Sequence, residues 1–287
     1  MDFPIFYTMS GIVFFLSLLL TSLISPILSQ NHWDDYIAEK NIKSTYYIFG
    51  DNVNLRESDH LNGKVIRKLS LGSEIKILTK TNQILEQNSL KEYWYKVQVG
   101  DDTGYIWGGL ISDYSFPLNE MIVLCKNLGT KTKKLELKII QGSKILSQGS
   151  FEVGPLSNES WDDTVYNPSL FSPSPHTIFA IKFLIFSEIE YGYSNEQVFT
   201  LNRELKITPQ FSWNPGSCDP PACAETWLVF PKEILPEDKK MNRKLIKGKE
   251  NTIIELMHSF DLDETNQHDF YQSEYVWNGS QFQKKEK

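Results

Sequence analysis

The sequence predicts an all-β protein behind an apolar leader. Three observations predict it. From Ser44 onward, short runs alternate apolar and polar residues with a period of two between Gly, Asn, Asp and Ser clusters. No segment after residue 38 carries apolar residues at helical spacing over a useful length. One later run, Ile178-Phe179-Ala180-Ile181-Lys182-Phe183-Leu184-Ile185-Phe186, is apolar on both faces, as a strand covered on two sides must be. The implied order is an N-terminal signal or anchor helix, a small barrel, then a larger β-sandwich or bent antiparallel sheet.

Phe3 to Leu28 contains no charged residue, and Ile12 to Leu20 has the density of a signal-peptide core. Pro26 breaks the run, and Ser29 offers a small residue for cleavage. The absence of Lys or Arg before it departs from that pattern. The run also meets the length of about 20 residues that a bilayer span requires. Residues 1–30 are therefore a signal peptide or a membrane anchor, and either places the remainder outside the cytoplasm: periplasmic, in the cell envelope or secreted. The membrane is expected as a partner only through this segment, if it stays uncleaved.

Residues 31–45 are polar and read as a linker. In Val53-Asn54-Leu55-Arg56, Val53 and Leu55 point inward and Asn54 and Arg56 outward. Ile75 and Ile77 share the inner face of Glu74 to Thr79. From Tyr93 to Val99 the inner row is Tyr93, Tyr95, Val97 and Val99, which puts Trp94 outside with Lys96 and Gln98. Gly100 to Gly104 is a hairpin signal. Beyond it Ile106 faces in and Tyr105 and Trp107 face out.

These residues resemble the bacterial SH3-like (SH3b) domain over 46–115. Asn54-Leu55-Arg56 matches its N-V-R opening and Leu69 to Gly72 its L-x-x-G turn. Trp94-Tyr95-Lys96-Val97 matches W-x-K-V, and Gly104-Tyr105-Ile106 matches G-W-V, with Tyr where Trp is usual. The order agrees apart from a longer insert at Thr81 to Lys91. The resemblance implies a bent barrel that binds a peptide, protein or peptidoglycan ligand in an aromatic groove. Carried onto this sequence, the groove residues are Trp94, Tyr105 and Trp107, with Arg56 and Glu57 as polar contacts.

Phe116-Pro117 marks the expected start of the second region, 117–287, whose runs continue as strands to the C-terminus. Trp277-Asn278-Gly279-Ser280 reads as a tight hairpin turn of the I′ kind. Cys218 and Cys223 bracket a loop and are either a local disulfide or two thiols, while Cys125 lies in an apolar strand as a buried thiol. Lys232 to Lys249 is either a solvated loop or a cationic patch for acidic polymer.

The chemistry-bearing residues assemble no catalytic motif. There is no Gly-x-Ser-x-Gly elbow and no cysteine in a nucleophile context. The five histidines show no metal-ligand spacing, and His258 and His268 fall where a final hairpin would pair them. Asp261 to Asn266 lacks the central Gly and closing acid of a calcium loop. No catalytic residue, metal or cofactor is expected. The net charge of −7 argues against nucleic acid as a partner. The expectation is an exported, non-enzymatic binding protein of a bacterial envelope. The alternatives are an accessory or targeting subunit of a cell-wall hydrolase, and a purely structural envelope protein.

Overall fold

The computed structural model describes residues 36–129, 132–154, 156–157, 160–185, 193–262 and 268–285. The signal peptide or anchor expected over 1–30 lies outside the described residues, as does most of the Asp-rich segment after Leu262. From Ile37 onward the chain is one compact unit, and among the described residues it is built almost wholly of antiparallel strands.

The first module uses β1 (Thr45–Tyr47), β2 (Val53–Arg56), β3 (Val65–Leu69), β4 (Glu74–Gln87), β5 (Leu90–Val99) and β6 (Asp102–Trp107). They form one six-stranded sheet in the order β1-β4-β5-β6-β2-β3. The sheet curls around a single core of Ile48, Val53, Leu55, Leu69, Ile75, Ile77, Tyr95, Val97, Val99, Ile106 and Ile111. That is the inner row the period of two predicts. Register shifts at Ile77/Thr79 and Lys80/Ile84 bend the β4–β5 hairpin. Its tip turns through Asn88 and Ser89, both at positive φ, which fits the twist of a two-residue hairpin. The insert at Thr81 to Lys91 is thus the outer half of this hairpin, not a separate loop.

Two four-stranded sheets follow. The first holds β7 (Tyr114–Leu118), β8 (Met121–Asn127), β9 (Lys134–Gln141) and β10 (Lys144–Glu152). The second holds β11 (Asp162–Tyr166), β12 (Thr177–Ile185), β13 (Tyr193–Leu201) and β14 (Ile207–Trp213). Phe116, Val123, Leu137 and Ile139 of the first meet Phe179, Ile181, Phe183 and Phe199 of the second in one apolar core. Phe116-Pro117, the expected boundary, lies within β7, and β7 begins directly after the barrel closes at Ile48 and Ile111.

A last sheet contains β15 (Gly216–Asp219), β16 (Ala222–Val229), β19 (Thr252–Asp261), β20 (His268–Trp277) and β21 (Phe282–Lys285). It covers the other face of β12: Ile178, Ala180, Val198 and Phe211 pack on Phe230, Ile253, Tyr275, Trp277 and Phe282. The apolar run is explained over 178–185, since β12 is sealed by sheets on both sides. The segment between β16 and β19 carries the short pair β17 (Ile234–Leu235) and β18 (Ile246–Lys247). On the opposite flank, Phe49 and Leu71 of the barrel pack on Leu124 and Ile140 of β8 and β9. The result is a stack of four β-layers, barrel first.

The Asn278-Gly279 turn differs from its expectation. Trp277 pairs with Phe282, which leaves a four-residue loop rather than a two-residue one. The Asn278 side-chain oxygen accepts from the backbone N–H of Ser280 and of Gln281 (2.9 and 3.0 Å) and so closes the wider loop.

Candidate functional site

The barrel's outer face carries the residues that the sequence singled out. Lys96 on β5, Tyr105 on β6 and Arg56 on β2 are consecutive cross-strand partners, so they form one row across three strands. All three are partly exposed. The Arg56 guanidinium donates to the Gly63 carbonyl (2.8 Å), which fixes its stem while part of its donor fork stays at the surface. Glu57 sits just beyond the row, exposed, and its carboxylate pairs with Lys64 at 3.0 Å. Arg56 and Tyr105 are therefore adjacent, and Glu57 belongs to the β2–β3 loop beside them.

Trp94 and Trp107 are corrected. They are cross-strand partners on the outward side of the barrel core, as the alternation predicts. Yet they are only 4% and 6% exposed, so no open cleft of Trp94, Tyr105 and Trp107 exists. For Trp107 the cause is the long hairpin. Its indole N–H donates to the carbonyls of Leu85 (3.1 Å) and Glu92 (3.2 Å), on opposite strands of the β4–β5 extension. The ring also lies over Gly109, where a Cβ would come within 2.4 Å of it. A glycine there is what lets the indole lie flat. Period-two reasoning identifies the face of a residue but cannot tell that a distant hairpin folds over it.

Behind the barrel lies a charge cluster that the sequence reading missed. Lys126 of β8 donates to Glu92 Oε1 (2.8 Å), Asp113 Oδ1 (3.0 Å) and the Gly108 carbonyl (3.1 Å). Lys40 donates to Asp113 Oδ1 at 2.8 Å and lies 3.6 Å from Glu92. Asp113 Oδ2 accepts from the Asn127 backbone N–H (2.8 Å), and the Tyr95 hydroxyl accepts from the Lys40 backbone N–H (3.1 Å). Every charged side chain of the group is at most 4% exposed.

Two cations and two anions leave the buried group neutral, the condition for tolerating charge away from water. Burial opposes ionisation of Asp113, but the ammonium groups of Lys126 and Lys40 outweigh it and hold the carboxyl below its ordinary range. Burial likewise works against the charge on Lys40, and Asp113 and Glu92 reverse that and raise its pKa. The cluster joins the linker, the barrel and β8 without an open position for a substrate. Its signal in the sequence was faint: a lysine at the end of the apolar run Met121 to Cys125.

Elsewhere, Cys218 and Cys223 are disulfide-bonded across the β15–β16 hairpin, and Cys125 is a free thiol whose pKa burial pushes up. His258 and His268 do meet, at 2.8 Å. No group of three or more His, Cys, Asp or Glu that could hold a metal occurs among the described residues. The Lys-rich segment folds back on the last sheet, with Arg243 over the Trp227 ring of β16 at 4.9 Å and Lys249 on Glu274 of β20.

Residues 51–112 match the family model of the bacterial SH3 domain. No curated protein and no solved structure matches the chain. Residues 51–112 are thus the part of the protein that resembles a known family. β1 precedes the matched residues but pairs with β4, completing the same sheet.

Proposed function

We propose that this protein works outside the cytoplasm as a non-enzymatic binding protein of a bacterial envelope. Its SH3 domain holds a peptide or cell-wall ligand on the row Arg56, Tyr105 and Lys96. The observation that carries this reading is the coincidence of the matched residues 51–112 with a partly exposed cationic–aromatic row on their outer face. An aromatic ring flanked by a guanidinium and an ammonium suits a carboxylate-bearing peptide, since the ring supplies apolar contact and the cations orient the acid groups. The Cys218–Cys223 disulfide supports an oxidising compartment. The apolar N-terminal segment supports export.

The test is a titration of muropeptides and intact peptidoglycan against the full chain and against Tyr105→Ala, Arg56→Ala and the double variant. Each single change is expected to weaken binding about tenfold, or about 1.4 kcal/mol. Thermal unfolding run in parallel confirms that the variants are folded. Unchanged affinity in the double variant would remove the row from the reading. Turnover of the fragments by the wild type would overturn its non-enzymatic part and favour a hydrolase role.

A second reading has its own observation. The buried cluster of Lys40, Glu92, Asp113 and Lys126 and the apolar contact of Phe49 and Leu71 fasten the SH3 domain to the sheet behind it. A purely structural envelope protein would use the domain in this way and would bind none of the fragments.

A further inference from the structure

The last sheet turns one face to the sandwich and the other outward. On the outward face, at the end of the β19–β20 hairpin where Phe260 pairs with His268, sits a stack of rings. His258 lies parallel to Phe270 (centroids 4.6 Å, 11°), to Phe260 (4.8 Å, 21°) and to Trp227 (6.0 Å, 17°). His258 Nε2 meets His268 Nδ1 at 2.8 Å. His258 is 2% exposed, and its other nitrogen, Nδ1, is buried without a hydrogen-bond partner.

We propose that the His258–His268 pair is an acid-sensitive clasp. It holds the end of the β19–β20 hairpin closed at neutral pH and releases it on acidification.

The contact works only when one proton lies between the two rings. His258 donates through Nε2 and His268 Nδ1 accepts, because the other tautomer would leave an N–H at the buried, partnerless Nδ1 of His258. Adding a proton to the accepting nitrogen sets two N–H groups against each other and places a positive charge beside a buried aromatic stack. Protonating Nδ1 of His258 instead creates a buried donor with nothing to receive it. The charged neighbours do not relieve this. Arg243, on the segment between β17 and β18, adds to the positive field, and the Glu225 carboxylate on β16 is exposed to solvent.

Burial first, then His268, holds His258 below its ordinary pKa, with Glu225 pulling the other way. The folded hairpin therefore prefers the uncharged ring. A depressed value means that the stabilisation is fully present above the unfolded value of about 6.5 and is lost as pH falls through the folded one. Opening frees the faces of Phe260 and Phe270 at the sheet's end. The device belongs to the last sheet and does not depend on the ligand of the SH3 domain.

Amide hydrogen exchange of the full chain, corrected for the intrinsic effect of pH, tests it. Protection of Ser259, Phe260, Asp269 and Phe270 is expected to fall about tenfold between pH 7 and pH 5. The β12 and β13 amides should keep theirs. In His258→Phe, which retains a stackable ring and removes the buried base, protection should be level across the range. Level protection in the wild type, or a pH-dependent loss persisting in His258→Phe, would overturn the proposal. Should His258→Phe fail to fold, the wild-type profile decides with imidazole NMR, which must show His258 taking up its proton over the pH range in which protection is lost.

Discussion

Trp107 shows how far a single residue can be read in advance. Its position on the outer side of the strand follows from Ile106 pointing in. Its burial follows from Leu85 and Glu92, 22 and 15 residues earlier in the chain. Its role is then structural: Trp107→Ala is expected to destabilise the protein by about 3–5 kcal/mol in urea unfolding. The folded fraction should keep its affinity for any ligand of the Tyr105 row. Lys126 makes a sharper case. Lys126→Met leaves Glu92 and Asp113 facing each other with Lys40 alone, and breaking a buried pair in this way costs about 3–5 kcal/mol. A shift of less than 1 kcal/mol in the same measurement would show that the cluster is hydrated or relaxes. Neither lysine was legible as a partner of these acids, because sequence pattern reports which side a residue faces and not what another layer brings to it.

Among elements, β12 was the most legible and the β4–β5 hairpin the least. A strand needs no information beyond itself to reveal that both faces are covered, because nine consecutive residues with one lysine leave no polar side. The hairpin's length was visible as the insert at Thr81 to Lys91, but its fold-back arises from register shifts that no local motif announces. Replacing residues 81–91 by a short turn removes the Leu85 carbonyl and uncovers the Trp107 indole. A red shift in tryptophan emission is expected, absent when the same replacement is made in Trp107→Phe. The Asn278 loop shows the reverse. The Asn-Gly pair was visible, yet the side-chain oxygen of Asn278 organises a longer connection than the dipeptide suggests.

Across the whole molecule the barrel is not a bead on a string. Phe49 and Leu71 lose their cover, and Glu92 and Asp113 lose Lys126 and Lys40, if residues 46–115 are cut out. The isolated segment is expected to melt well below the intact chain in circular dichroism. The pH profile of the intact chain follows from the same cluster. Asp113, held below its ordinary value, stabilises the junction above about pH 4, and that contribution is lost as pH falls through its lower folded value. Lys40, raised, contributes below about pH 10.4 and ceases to as pH climbs past its folded value. Junction stability should therefore be flat between these limits in unfolding experiments across pH, and a slope centred near neutrality at the junction would contradict the assignment.

Gly72 sits where the barrel touches the sheet behind it, with Ile140 and the Gly142 carbonyl so near that any Cβ would collide with them. That flank is spent on the interior of the protein and is closed to any ligand. Sheets stack about 10 Å apart, which makes the three behind the barrel a stiff standoff of roughly 20–30 Å. Whatever fastens the last sheet in place would hold the barrel at that distance from the anchorage.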